Sequence, residues 1–333
     1  MSGALATMEE LVARLKRAKR VAIFTHQRPD PDALGSQTAA AWILKALGAT
    51  EIQTVHFAKP PAPYAFLADS APGEQWEFDS EWAGSASGAV DTILVVDTCT
   101  YSQMEPATTV LKGERGKVVA IDHHLSRDDV GPVIYADTKA AACVEILWEV
   151  AKRSGVEMHE PLALALMAGL VSDTGWFRFD SVTPRTHEMA ADLTPHVNNA
   201  QLYERLMQTE TKPKMLLMQH ALDSLKWAFD DRFACMSLKQ SDFAETGAVA
   251  SQTEYLVDMP LTVQTVEVVA LLTEMPDGRV RGSLRSKRDV DVNQVCRKFG
   301  GGGHAKAAGL RTDGPLEEAV ARVTAAVGEA LGK

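Results

Sequence analysis

Residues 20–37 read RVAIFTHQRPDPDALGSQ. The apolar run VAIF predicts a buried strand, and DALGSQTAAAWILKALG after it predicts a helix ending near Gly48, a residue suited to a helix C-terminus. Between them stand His26, Asp30 and Asp32, three potential metal ligands within seven residues. Each has a plain structural explanation. An Asp after a strand is usually a turn former or a helix N-cap, and Asp30 between Pro29 and Pro31 reads as a turn. The stretch carries chemistry only if partners recur further along.

They do recur. Asp97 follows ILVV, the group Asp122, His123 and His124 follows VVAI, and Asp173 follows LALALMAGLVS. IQTVHFA (52–58), DTILVVDTCT (91–100) and KVVAIDHH (117–124) read as further strands. ACVEILWEVAKRSG (142–155) and PLALALMAGLVSDTG (161–175) read as helices, the second running into a polar loop. Alternating strands and helices predict a mainly parallel sheet with helices on both faces. Ligands of such sheets bind beyond the carboxyl ends of the strands, so groups distant in sequence are expected to meet there. Two His with several Asp suit a pair of hard or borderline cations better than a thiolate zinc site. Ions about 3.5–4 Å apart can bind a phosphate and lower the pKa of water. Asp97, at a central strand end, is the candidate to reach both.

The chain has 333 residues, which predicts two domains. Apolar residues make up 46% and charged residues 23%, an ordinary globular balance. The net charge of −10 argues against broad binding to long duplex nucleic acid, which relies on many phosphate contacts. It leaves room for a small anionic substrate held by a few local cations. No apolar run reaches the roughly 18–20 residues of a membrane span, and residues 1–20 read as an amphipathic helix rather than a signal core. Cys99, Cys143, Cys235 and Cys296 form no close pair. A cytoplasmic protein without membrane contact is expected.

After about residue 190 the texture changes. The stretch 198–229 reads as a helical connection interrupted near Pro213, followed by strands RFACMSL, VEVVALLTEM and RVRGSLRS, with MPDGRV as a hairpin turn. The expected division is a catalytic metal-binding domain over 1–195, a helical linker over 196–229 and a smaller mixed α/β substrate-binding domain over 230–333, with the active-site cleft between the domains.

The set THQRPDPDALGS, VVDTCT, IDHH and GLVSDTG resembles, in order, the four motifs of the DHH phosphoesterase superfamily. GGGGHAKAAG, Gly300 to Gly309, resembles the glycine-rich signature of its DHHA1 domain. The match runs from about residue 20 to 310, and the compact length is similar to the nanoRNase/pAp phosphatase branch. The resemblance implies two Mn²⁺ ions, with Mg²⁺ or Co²⁺ as substitutes. His26 and Asp30 would hold one ion, Asp32, His123 and Asp173 the other, and Asp97 would bridge them. Asp122 would orient His123, and His124 would contact the scissile phosphate or protonate the leaving group. Three departures stand out: Pro31 where Gly is common, Cys143 where small hydroxyl residues are frequent, and no Arg in TCTYSQMEP after Asp97.

In the second domain the glycines Gly301, Gly302 and Gly303 allow close backbone approach and offer N–H groups to an anion. His304 and Lys306 stand beside them, Arg285 suits a bidentate phosphate contact, and Ser286 adds a hydroxyl. Arg178 is expected at the cleft, and Trp176, Phe177 and Phe179 offer either base stacking or buried packing. The expected function is hydrolysis of short oligoribonucleotides, pAp or linear dinucleotides by two-metal activation of water, with a homodimer implied by the resemblance. The alternatives are a RecJ-type single-strand DNA exonuclease and a nucleotide-binding regulator that has lost catalysis.

Overall fold

The structure is a computed structural model that describes residues 5–86 and 89–332. The first four residues of the expected N-terminal helix lie outside the described residues. The chain forms two compact units, Met1–Thr209 and Glu210–Lys333.

The first unit is built on six strands: β1 (Arg20–Phe24), β2 (Glu51–His56), β3 (Glu74–Glu77), β4 (Thr92–Val96), β5 (Val118–Asp122) and β6 (Val133–Ala136). Their order is β3-β2-β1-β4-β5-β6, and every neighbouring pair is parallel. The chain steps outward from β1 to β3, then returns to β4 on the other side of β1. The carboxyl ends of β1 and β4 therefore flank the point where strand order reverses, where open α/β sheets bind ligands.

Burial alternates along each central strand. Val21 and Ile23 of β1, Leu94 and Val96 of β4, and Val119 and Ile121 of β5 face one core. Ala22 and Phe24, Ile93 and Val95, and Val118 and Ala120 face another. Both faces are apolar, which explains why these strands read as continuous apolar runs rather than alternating ones.

Helix Met8–Arg17 begins with Thr7 and Glu10 in a reciprocal capping box. Helix Pro31–Ala46 begins at Asp30, whose Oδ1 accepts from the Ala33 N–H at 3.0 Å. Pro31 then occupies the first helical turn, where its fixed φ fits and its missing N–H is not needed. That position accounts for proline at this departure from the motif. The same helix crosses helix Glu160–Asp173 with backbones nearly touching: a Cβ added at Gly35 would lie 2.4 Å from the Ala165 carbonyl oxygen.

The second unit holds β7 (Lys226–Ala228), β8 (Phe233–Leu238), β9 (Val268–Glu274), β10 (Val280–Ser286), β11 (Gly302–His304) and β12 (Ala307–Thr312), in the order β11-β12-β10-β9-β8-β7. β8 and β9 are parallel and the other pairs antiparallel. Helix Lys212–Asp223 buries Leu217 and Ala221 in this unit's core together with Met236 and Leu271. The stretch expected as a linker thus supplies part of the core of the second unit.

The glycine run has a steric cause. A Cβ at Gly301 would lie 2.2 Å from the Gly309 carbonyl oxygen, and one at Gly303 would lie 2.6 Å from that of Ala307. The N–H groups of Gly300, Gly301 and Gly303 are already donated to the Arg297 carbonyl, the Cys296 carbonyl and Asn293 Oδ1. The expected anion cradle of Gly301, Gly302 and Gly303 N–H groups is therefore corrected: two of the three, those of Gly301 and Gly303, hold the loop itself.

Candidate metal centre

Each strand on the route from apolar core to solvent ends on a charged group. His26 follows β1, Asp97 follows β4, and β5 runs straight into Asp122, His123 and His124. Asp30 and Asp32 open helix Pro31–Ala46, and Asp173 closes helix Glu160–Asp173. Asp173 stands on the last turn of the helix that the sequence placed over 161–175.

The six candidate ligands come together. His26, Asp30 and Asp97 form one group of ligand atoms lying within 4.8 Å of one another, and Asp32, His123 and Asp173 form a second. Asp97 spans them. Its Oδ2 lies 3.4 Å from His26 Nε2 and its Oδ1 lies 3.4 Å from His123 Nε2. His123 Nε2 is also 3.3 Å from Asp173 Oδ2 and 3.8 Å from Asp32 Oδ2. Asp97 has φ +60°, in the left-handed region that Asp tolerates better than most residues and that is often occupied at functional positions.

Asp97 Oδ1 and His123 Nε2 are buried and make no hydrogen bond. Orphaned buried polar atoms are costly, and here they face each other at cation-bridging separation. The donor set of imidazole nitrogen and carboxylate oxygen fits divalent transition metals. The residues present therefore fit the metal implied for this fold.

The electrostatics point the same way. Burial, then repulsion from Asp97 and Asp173, pushes Asp32 well above the usual carboxylate range. Burial and then Asp97 and Asp30 push Asp173 up to about 7. Burial alone would lower His123, but Asp97 and Asp173 outweigh it and raise the imidazole to about 9. His26 is raised in the same manner, its burial overcome by Asp97 and Asp30. Burial opposes ionisation of Asp97, yet His123 and His26 hold it below the usual range. A buried cluster so rich in carboxylates is stabilised by cations.

Supporting groups fix the ligands. Asp32 is fully enclosed, and its carboxylate accepts the Cys143 and Val144 N–H groups at 2.7 and 3.1 Å. It thereby caps helix Cys143–Ser154, whose own N-cap, Ala142, has no side chain to do so. Backbone N–H donation needs no hydroxyl, so Cys143 serves where a small hydroxyl residue is frequent. The His123 ring is held by the Ala140 carbonyl, 3.3 Å from Nδ1. Asp122 Oδ1 accepts the N–H groups of His123 and His124 and lies 2.8 Å from His124 Nδ1. Asp122 thus meets the backbone of His123 and the ring of His124, which differs from its expected grip on the His123 ring.

Sequence reasoning missed Gly169. A Cβ there would lie 2.6 Å from Asp32 Oδ1 and 2.7 Å from Val144 Cγ1. Its signal was a glycine inside an otherwise strong helix, which asks for a packing reason. Gly169→Ala should displace Asp32, destabilise the chain by about 1–3 kcal/mol and weaken metal binding about 10–100-fold. Thermal unfolding and metal titration check this; wild-type metal affinity in the variant would contradict it.

The substrate-binding candidates are more dispersed. Arg178 donates from Nε to the Gly175 carbonyl at 2.6 Å. Trp176 packs on Tyr203 and Phe177 stacks on His187, so both rings are engaged internally, whereas Phe179 is 52% exposed. In the second unit Arg285 Nε lies 3.6 Å from Asp258, and His304 is exposed on β11. Ser286 is buried, and its hydroxyl is donated to the Val290 carbonyl at 2.7 Å, so its proton is engaged within the unit.

Over the centre of the first unit lies a cavity of about 590 Å³ between Thr100, Gln103, His123 and His124. One of about 210 Å³ lies beside His26 and Arg28, and both are bordered by Ser102 and Gln103.

The chain is similar to known proteins. Residues 20–170 match the DHH family, N-terminal domain, and residues 233–333 match the DHHA1 domain. The bifunctional oligoribonuclease and PAP phosphatase NrnA of Thermus thermophilus is 31% identical over 325 residues, spanning 96% of this chain and 94% of that protein. The chain belongs to the DHH–DHHA1 phosphoesterase family. The like-named Bacillus subtilis protein is 26% identical over 305 residues, 90% of this chain and 91% of its own length, so this DHH phosphoesterase matches the NrnA branch over most of its length. Its fold is shared by an exopolyphosphatase-related protein from Bacteroides fragilis, at TM-score 0.77 and 21% identity over 99% of this chain and 98% of that one. As a DHH phosphoesterase it is a metal-dependent hydrolase of phosphate esters.

Proposed function

We propose that the protein is a Mn²⁺-dependent hydrolase of short oligoribonucleotides, linear dinucleotides and pAp. The observation that carries the reading is Asp97, buried with one oxygen toward His26 and the other toward His123, in a ring of further carboxylates. Relatives named as oligoribonucleases and PAP phosphatases, alike over nine-tenths of the chain, support the substrate class. His26 and Asp30 would hold one ion, Asp32, His123 and Asp173 the second, and Asp97 both. Mixed imidazole and carboxylate ligation suits Mn²⁺. When bound, such a pair of ions polarises phosphate oxygens and acidifies water.

The chain's own residues do the rest. Contact with Asp122, only partly offset by burial, raises His124 and so favours its protonated form. Nδ1 is turned to Asp122, which leaves Nε2 of this half-exposed ring to deliver its proton to the leaving oxygen. Arg285 and His304 of the second unit would bind the remote phosphate or sugar. The Arg285–Asp258 contact is a long one between half-buried side chains, at 3.6 Å, which an incoming phosphate would displace. Phe179, the exposed ring, is the candidate for base stacking. Among the described residues no helix is long and apolar enough to cross a membrane. All four cysteines are buried and unpaired, which suits a reducing cytoplasm.

Turnover with Mn²⁺ on pAp, pApA, pGpG, longer RNA and single-stranded DNA tests the reading. Rates should be highest on pAp and the shortest RNAs and fall with chain length. Preference for long single-stranded DNA would favour an exonuclease instead. Nucleotide binding without any hydrolysis would favour a regulator.

A further inference from the structure

We propose that Arg28 and Gln103 form a phosphate-binding subsite at the mouth of the metal centre. Arg28 is exposed in the loop between His26 and Asp30, and among the described residues it has no ion-pair partner. It lines the small cavity beside His26, together with Gln27, Ser102 and Gln103. Gln103 also lines the larger cavity beside His123 and His124. The two residues therefore stand over both halves of the cluster.

Gln103 is locked. Its Oε1 accepts from the Thr98 hydroxyl and from the Thr100 hydroxyl at 3.2 Å. Its backbone carbonyl accepts the Gln27 N–H at 2.9 Å, and Gln27 Nε2 donates to the Ser102 carbonyl at 3.2 Å. These bonds tie the loop after β4 to the loop after β1. With its oxygen turned to the two threonines, the amide presents its NH₂ group, two donors and no acceptor, away from them. A free guanidinium and a fixed pair of amide donors beside clustered metal ligands complement the oxygens of an anion such as phosphate. With the centre read as one for phosphate esters, as proposed above, the group held is the phosphate placed for hydrolysis. TCTYSQMEP supplies no arginine from the β4 side; Arg28 supplies the guanidinium from the β1 side.

The test is binding of inorganic phosphate to the Mn²⁺-loaded protein, which needs no turnover. Arg28→Ala should weaken phosphate binding about 10- to 100-fold, as expected for loss of a charge-assisted contact. Its Mn²⁺ stoichiometry and thermal midpoint should match wild type. Arg28→Lys, which keeps the positive charge, should recover part of the affinity, a rescue that a purely structural Arg28 would not permit. Arg28→Ala with wild-type phosphate affinity, or Arg28→Lys no better than Arg28→Ala, overturns the proposal. A protein that binds phosphate through Arg28 yet hydrolyses nothing in the nucleotide panel would leave this subsite standing and remove the substrate reading. Turnover indifferent to Arg28→Ala, with unchanged phosphate affinity, would do the reverse.

Discussion

Asp97→Asn should all but abolish turnover while leaving the fold intact. Asparagine keeps the shape of the side chain and also tolerates the left-handed backbone at φ +60°, whereas alanine would add strain. What is lost is the charge shared between the His26 and His123 sides. Removing a partner outside the ligand shell already costs about 10–100-fold in metal affinity or activity, so losing the shared ligand should cost about 10³-fold or more. Stability should fall in the same direction. With chelator present, loss of the anion that His26 and His123 face should lower the thermal midpoint relative to wild type. With Mn²⁺ present, wild type should gain more than the variant, because only wild type holds both ions. Steady-state kinetics, metal counting and paired melts check this. An Asp97→Asn protein with near wild-type activity would remove the bridging role.

The second large effect is the response of the chelated protein to pH. Asp173 stands at about 7 in the fold against an ordinary 3.8. Between those values the folded chain keeps a proton that the unfolded chain has released, so stability falls as pH rises across that window. His123 stands at about 9 against 6.5. Its contribution is complete below 6.5 and disappears as pH climbs through about 9. Both signs agree: in chelator, stability should decline from mildly acidic to alkaline pH by a few kcal/mol in order of magnitude. Metal binding requires the same groups deprotonated, so Mn²⁺ affinity should rise with pH and loading should release protons. Melts in EDTA and in Mn²⁺, with titration calorimetry in buffers of different ionisation enthalpy, measure both. A chelated protein that grows more stable toward alkaline pH would contradict the assignment.

The first unit was largely legible because β1, β4 and β5 are buried on both faces and so announce themselves as apolar runs ending in charge. His26, Asp97 and Asp122 could be placed from those runs alone. The edges were not legible. β3, EQWE, has no fully buried side chain, and β6, VIYA, is only half-buried, so backbone pairing rather than side-chain burial makes them strands. β11 consists of Gly302, Gly303 and His304, to which no periodicity rule applies. At the site the ligands could be read, but what holds them could not. The Ala140 carbonyl, the Cys143 and Val144 N–H groups and the space beside Gly169 are properties of backbone position. Ser286 failed for a related reason: a hydroxyl in sequence does not reveal that a carbonyl in its own loop already receives its proton.

The ligand set also has a consequence for biosynthesis. Its members run from His26 to Asp173, and the two groups within bonding reach of one another are divided among β1, β4, β5 and two helices that must cross closely at Gly35. A nascent chain still lacking the last of these helices carries His26, Asp30 and Asp97 but only part of the group completed by Asp173. Filling of the second group would therefore wait for emergence of Asp173 from the ribosome, so a full metal complement would follow rather than precede the crossing of these two helices.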